Sequence, residues 1–232
     1  MITNARLQAG DTSTSEPIRF EISSAEDLGT DLSPPVEDSS VDLIVASTAA
    51  HWFDMSRFWP QAARVLKPGG TVALWSNGDG CIHPSMPNAD SIQAALNEIE
   101  EREMKPFFEP GNVLTKNLYA SLPLPWTLEP RVVDFDEATF VRKLWGPENS
   151  EEFFEGGGME IDLDRMEKVL STASPLQRWR DAYPDAVGTE RDPVKMMRRA
   201  IEKGLHEGGV EKGKELIKGS MKAVLLMLKK KA

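Results

Sequence analysis

The sequence predicts an α/β protein built on a parallel sheet, and two observations carry that expectation. Val41-Asp42-Leu43-Ile44-Val45-Ala46 and Thr71-Val72-Ala73-Leu74-Trp75 are short, nearly continuous apolar runs, as in strands covered on both faces. Between them, Phe58, Trp59, Ala62, Ala63, Val65 and Leu66 recur at helical spacing over residues 56–66. Strand, helix, glycine turn and strand form a βαβ unit, which requires parallel strands joined by a crossover.

The remaining elements follow in order. Ile2 to Gln8 reads as a short helix with no capping residue before it. Ile18-Arg19-Phe20-Glu21-Ile22 alternates apolar and polar and reads as a strand, and Pro34-Pro35 marks a loop. Pro60 fits the central helix only in its first turn, and Lys67-Pro68-Gly69-Gly70 ends it. Gly78-Asp79-Gly80 reads as an ordinary turn, because Pro84 interrupts the helix that a phosphate-cradling loop would open. Asp90 to Met104 is a long amphipathic helix with Ile92, Ala95, Leu96 and Ile99 on one face, and Gly111 to Leu122 is a shorter one. Arg131 to Phe135 reads as a strand, residues 137–145, 161–171, 174–182 and 192–205 as helices, and Gly156-Gly157-Gly158 as a hinge or loop. Lys222 to Lys230 suits a helix turn or a strand; strand is preferred, because Val, Leu and Met cover both faces.

Composition sets the functional limits. The chain has 232 residues, enough for one large domain, and 27 basic against 37 acidic side chains give a net charge of −10. That balance disfavours wrapping nucleic acid, which needs clustered Lys and Arg. Cys81 is the single cysteine, so a reducing, cytoplasmic setting is expected. No apolar run approaches the ~20 residues of a membrane helix, and Lys229-Lys230-Lys231 reads as a solvated chain end. Cys81 and His83 have no second pair of metal-ligand type nearby, so no metal is expected.

VDLIVASTAAHWFD followed by RFWPQAARVLKPGGTVALW resembles the class I S-adenosylmethionine-dependent methyltransferases, in the branch that includes trans-aconitate methyltransferase. Ser24 to Leu28 and Thr172 to Trp179 resemble that branch too, and Met1-Ile2 with Ala5-Arg6 resembles the helix after the family's second strand. The resemblance implies an N-terminally incomplete Rossmann-like sheet without the Gly-rich cofactor motif. Residues 1–80 are then a remnant of the methyltransferase core, and 81–232 a helical substrate cap with closing strands near 131–135 and 222–230. It further implies S-adenosyl-L-methionine as cofactor, with a site weakened in these residues. Ala25, Glu26 and Asp27 would face the adenine, and Thr48 and Ala49 would bind beside them. The acids serve equally well as helix caps. Gly29 stands where the family often has Pro, and Thr48 where Gln is common.

His51 and Trp52 follow the first buried strand, at the sheet edge where open α/β folds bind ligands. His51 suits either a hydrogen bond to an anionic substrate or orientation of the turn; Trp52 suits either a channel wall or core packing. Arg178 and Trp179 sit on a later helix where an Arg can grip a carboxylate, or where the charge faces water and the ring faces inward. The implied reaction is methyl transfer to a small molecule, with O-methylation of a carboxylic acid preferred. Such an acid is ionised at pH 7, so no catalytic base is needed or assigned. The alternative is a non-catalytic, methyltransferase-like binding or regulatory protein.

Overall fold

A computed structural model describes residues 2–8, 10–146, 153, 158 and 160–232. After a short α1 (Ile2–Leu7), the apolar run at 41 forms β1 (Val41–Ser47), α2 (Met55–Val65) crosses over, and β2 (Leu66–Ile82) runs parallel to β1 with Ser47 opposite Trp75. The expected βαβ unit is therefore present. The cap follows as α3 (Ala89–Ile99), extended by a π-helical turn over Glu100–Met104, and α4 (Pro110–Lys116). Next come β3 (Phe135–Trp145), β4 (Glu160–Asp162), α5 (Leu163–Leu170), α6 (Ser174–Ala182), α7 (Pro193–Glu207) and β5 (Leu216–Lys230).

The sheet order is β1-β2-β5-β3, with β5 antiparallel to both neighbours and β4 pairing with its start. One core lies under α2, where Phe58, Trp59, Ala62 and Leu66 meet Val72, Leu74, Val224, Leu226 and Leu228. Trp59 also donates its indole N–H to the carbonyl of Pro123 at 2.9 Å. A second core joins Ile92 of α3, Met166 of α5, Ile201 and Leu205 of α7 and Ile217 of β5.

Several expectations are corrected. Ile18 to Ile22 forms no strand; only an isolated bridge joins Asp11 and Pro17, and Arg6 holds the segment through the Phe20 carbonyl and Glu21. Residues 131–134 lie outside any strand, and the expected helix at 137–145 is strand β3, because β5 offers it a ladder from Phe135↔Lys230 to Trp145↔Ala223. Gly78-Asp79-Gly80 is a bulge inside β2, which continues to Ile82 opposite Gly219. Pro60 falls in the second turn of α2. The helix expected over 111–122 stops at Lys116, where Leu118 and Tyr119 take left-handed φ angles of 50° and 56°. Lys230 is no idle chain end: its ammonium donates to the carbonyls of Ala63 (2.6 Å) and Leu66 (2.8 Å), satisfying the C-terminus of α2 with a cation. Of the glycines read as a hinge, Gly156 and Gly157 lie outside the described residues.

Leu226→Ala should cost about 2–5 kcal/mol, measured by urea unfolding, since it empties the centre of the sheet core. Val45, 55% exposed, lies on β1, whose outer edge pairs with no strand among the described residues. Val45→Lys should change stability by no more than about 0.5 kcal/mol while lowering self-association in light scattering.

Candidate functional site

β1 ends at Ser47, opposite Trp75 of β2, which runs on to Ile82, and the chemistry-bearing residues converge where β1 stops. Thr48 leaves β1 with φ 48°, its N–H bonded to the Trp75 carbonyl at 2.8 Å and its hydroxyl 3.2 Å from Asn77 Oδ1. Ala49 is the N-terminal flank of a one-turn 3-10 helix, Ala50–Trp52, and no side chain caps that turn.

His51 is 9% exposed, and its Nδ1 lies 3.0 Å from the hydroxyl of Tyr119, itself 1% exposed. Burial pushes the His51 imidazole below its ordinary 6.5. Burial also pushes the Tyr119 phenol above its ordinary 10.0, partly offset by the polar groups of Ser76, His51 and Ala50 nearby. Sequence reasoning missed Tyr119: it lies 68 residues from its partner, on an irregular turn.

The Trp52 ring packs 4.7 Å from that of His51, tilted by 57°, and remains 49% exposed. Its other neighbour is Gly111 of α4, where an added Cβ would sit 2.6 Å from the indole and 2.9 Å from the His51 carbonyl. Glycine is thus what lets the indole approach the helix this closely.

Arg178 sits one layer behind. Its guanidinium donates to the Phe107 carbonyl (2.8 Å) and Asn112, and pairs with Glu109 at 3.2 Å, while Asn112 donates to Ser174. These bonds stitch α6 to the start of α4, the helix that supports Trp52. The guanidinium expected to grip an anion is committed to this stitch. Trp179 is 2% exposed and packs 5.0 Å from the Tyr183 ring, so it presents no binding surface.

The acids at 26 and 27 sit on a turn tied to the same edge. Glu26 accepts the backbone N–H of Asp54 at 2.8 Å, Asp27 accepts the Ser24 hydroxyl at 2.6 Å, and Ala25 packs on the core. Gly29 has φ 79°, and a Cβ there would fall 2.5 Å from Val36 Cγ2. Proline, fixed near φ −65°, cannot stand at this position.

Residues 1–74, which include the turn at 24–30 and the His51–Trp52 pair, match the family model described as a methyltransferase domain. That match covers about a third of the chain. An uncharacterized methyltransferase of Mycobacterium tuberculosis is 45% identical over 53 residues, 22% of each chain. An uncharacterized methyltransferase-like protein of Schizosaccharomyces pombe is 26% identical over 179 residues, covering 72% of this chain and 65% of its own. The chain thus spans less than two thirds of the length of either relative. The fold matches a structure described as a type II methyltransferase of Anaeromyxobacter dehalogenans, with TM-score 0.57 and 19% identity, covering 90% of this chain and 70% of that one. The α/β architecture therefore shares its Rossmann-like fold with that structure. Among the described residues, no helix is long and apolar enough to cross a membrane.

Gly111→Ala should lower the melting temperature by several degrees and disturb the Trp52 environment, whereas Gly80→Ala, where a Cβ meets nothing within 4 Å, should be close to neutral. His51 predicts a pH effect. The folded state holds it neutral, so below pH 6.5 the unfolded chain binds the extra proton and stability falls as pH drops, until the folded imidazole itself titrates. His51→Gln should flatten that part of the stability profile between about pH 7 and 5, read from urea midpoints.

Proposed function

We propose that the carboxyl end of β1, beside Trp75 to Asn77 of β2, is the floor of an S-adenosyl-L-methionine-dependent methyltransferase site, and that the acceptor is a small carboxylic acid methylated on oxygen. The observation that carries this reading is the coincidence of the matched segment with the site: residues 1–74 contain the acidic turn, Thr48, His51 and Trp52.

The turn at 25–27 has the donor set for the adenine end of the cofactor. Asp27 is 42% exposed at its side chain, so its carboxylate can accept from an exocyclic amine, with Ala25 as apolar neighbour. Glu26 acts through position, fixing the turn to the loop before α2. Thr48 and Ala49 line the adjoining end of β1. When bound, the cofactor supplies a methyl group on a sulfonium, a leaving group good enough that alignment and desolvation suffice.

The chain's own groups then hold the acceptor. A carboxylate is already a nucleophile at pH 7 and asks for no base, which agrees with a site whose one imidazole is buried and neutral. Trp52 offers an exposed apolar wall beside it, and Arg178 keeps that wall in place by anchoring α4.

The test is incubation of the purified protein with methyl-labelled cofactor and parallel sets of small carboxylic acids, amines and phenols. Alkali-labile label in the acids alone is the expected result; label only in amines or phenols would refute the carboxylate reading. Asp27→Ala should weaken S-adenosylhomocysteine binding by about tenfold in calorimetry, the worth of one charge-assisted hydrogen bond.

A further inference from the structure

We propose that Asn77 sets the acceptor specificity of the site: its carboxamide donates an N–H to an oxygen of the acceptor. The inference rests on the reading above and deepens it by naming the group that meets the acceptor's carboxylate.

The two strands place the residue. β1 and β2 are paired as far as Ser47 and Trp75, and Asn77 follows two residues further along β2, on the same face as Trp75. β1 has stopped by then. Its next residue, Thr48, bonds back to the Trp75 carbonyl and brings its hydroxyl within 3.2 Å of Asn77 Oδ1. Asn77 is thus the first side chain of that face beyond the end of β1.

The backbone is bent at this point. On the β5 side Asn77 pairs with Ala223 and Gly80 with Met221, so three steps of β2 are set against two of β5. Such a bulge gives up ladder pairing, and beside a binding site it re-aims a side chain. Both residues that follow Asn77 are anchored on the end of α4 and the turn after it. A Cβ at Gly78 would meet Leu118 Cδ2 at 2.8 Å, and the Asp79 carboxylate pairs with Lys116 at 2.8 Å. The acid nearest Asn77 in the chain is therefore neutralised, and the bulge is held against the helix that supports Trp52.

A count of donors leaves one for a ligand. A primary carboxamide carries two N–H hydrogens and one acceptor oxygen. Among the described residues its hydrogen-bond partner is the Thr48 hydroxyl. Seated with Oδ1 toward Thr48, the amide keeps both N–H hydrogens; turned round, it gives one to the Thr48 oxygen and keeps the other. The count holds for either seating. Asn77 is half-buried, and no fully buried side-chain nitrogen or oxygen among the described residues lacks a partner, so the remaining N–H reaches solvent. An N–H meets a carboxylate oxygen and has no lone pair for an ammonium. Aspartate has the same shape with a negative charge and, once ionised, no N–H, so the residue at 77 separates acids from amines.

The test is saturation-transfer NMR of the purified protein with S-adenosylhomocysteine present, using the small carboxylic acids and amines of the labelling assay as probes; it needs no turnover. Acids should give signals with the wild type. Asn77→Asp should abolish them and bring up signals from the amines, a gain that a damaged fold does not produce. Asn77→Ala adds no charge beside Asp79 and serves if the Asp variant unfolds; it should weaken acid binding about tenfold, the worth of one hydrogen bond to a charged group. S-adenosylhomocysteine binding in calorimetry should stay within about twofold of wild type in both variants. Acid binding equal to wild type in either folded variant, or a loss confined to S-adenosylhomocysteine, would overturn the role of Asn77. Acids that bind through Asn77 and take up no label would sink the O-methylation reading alone. A wild type that binds none of the acids would overturn both.

Discussion

Val224, Leu226 and Leu228 are sealed from water because β5 runs antiparallel between β2 and β3, and the rest of the molecule leans on that pairing. From Thr71↔Lys229 to Ile82↔Gly219 the ladder holds nearly the whole of β2, bridging the bulge at Asn77–Gly80. The same strand carries Lys230 to the end of α2, so the helix that covers the sheet is fastened by the strand that completes it. With β2 fixed, Ser76 and Asn77 have fixed positions beside the carboxyl end of β1, and the site is built from there.

The site is shaped more by what its charged groups do for the scaffold than by free charge. Arg178, Glu109 and Asn112 are spent on joining α6 to α4, and Glu26 on joining the acidic turn to the loop before α2. Each bond sets the position of a neighbour: Trp52 in the first case and Asp27 in the second.

The sequence reading succeeded where pairing is local and failed where it is not. Residues 41–75 were legible because both strands and the helix between them satisfy each other within one βαβ unit. The helix expected at 137–145 failed because Phe140, Val141, Leu144 and Trp145 suit either period, and only the distant β5 decides for a strand. Ile18 to Ile22 alternates correctly but has no ladder to join. His51 and Trp52 could be singled out because they follow a recognisable strand, whereas Tyr119 reaches His51 through left-handed turn geometry that leaves no periodic trace.

The central place of β5 also sets a schedule for synthesis. β2 emerges from the ribosome with one parallel partner already made, and its other edge stays open until residues 216–230 appear. At ordinary elongation rates the stretch from Ile82 to Leu216 takes on the order of ten seconds, during which Val72 and Leu74 have no β5 to cover them. Pairing across so long a loop also slows folding through its entropy. The nascent chain is therefore most in need of chaperone cover while its cap is being translated, well after the βαβ unit has left the tunnel.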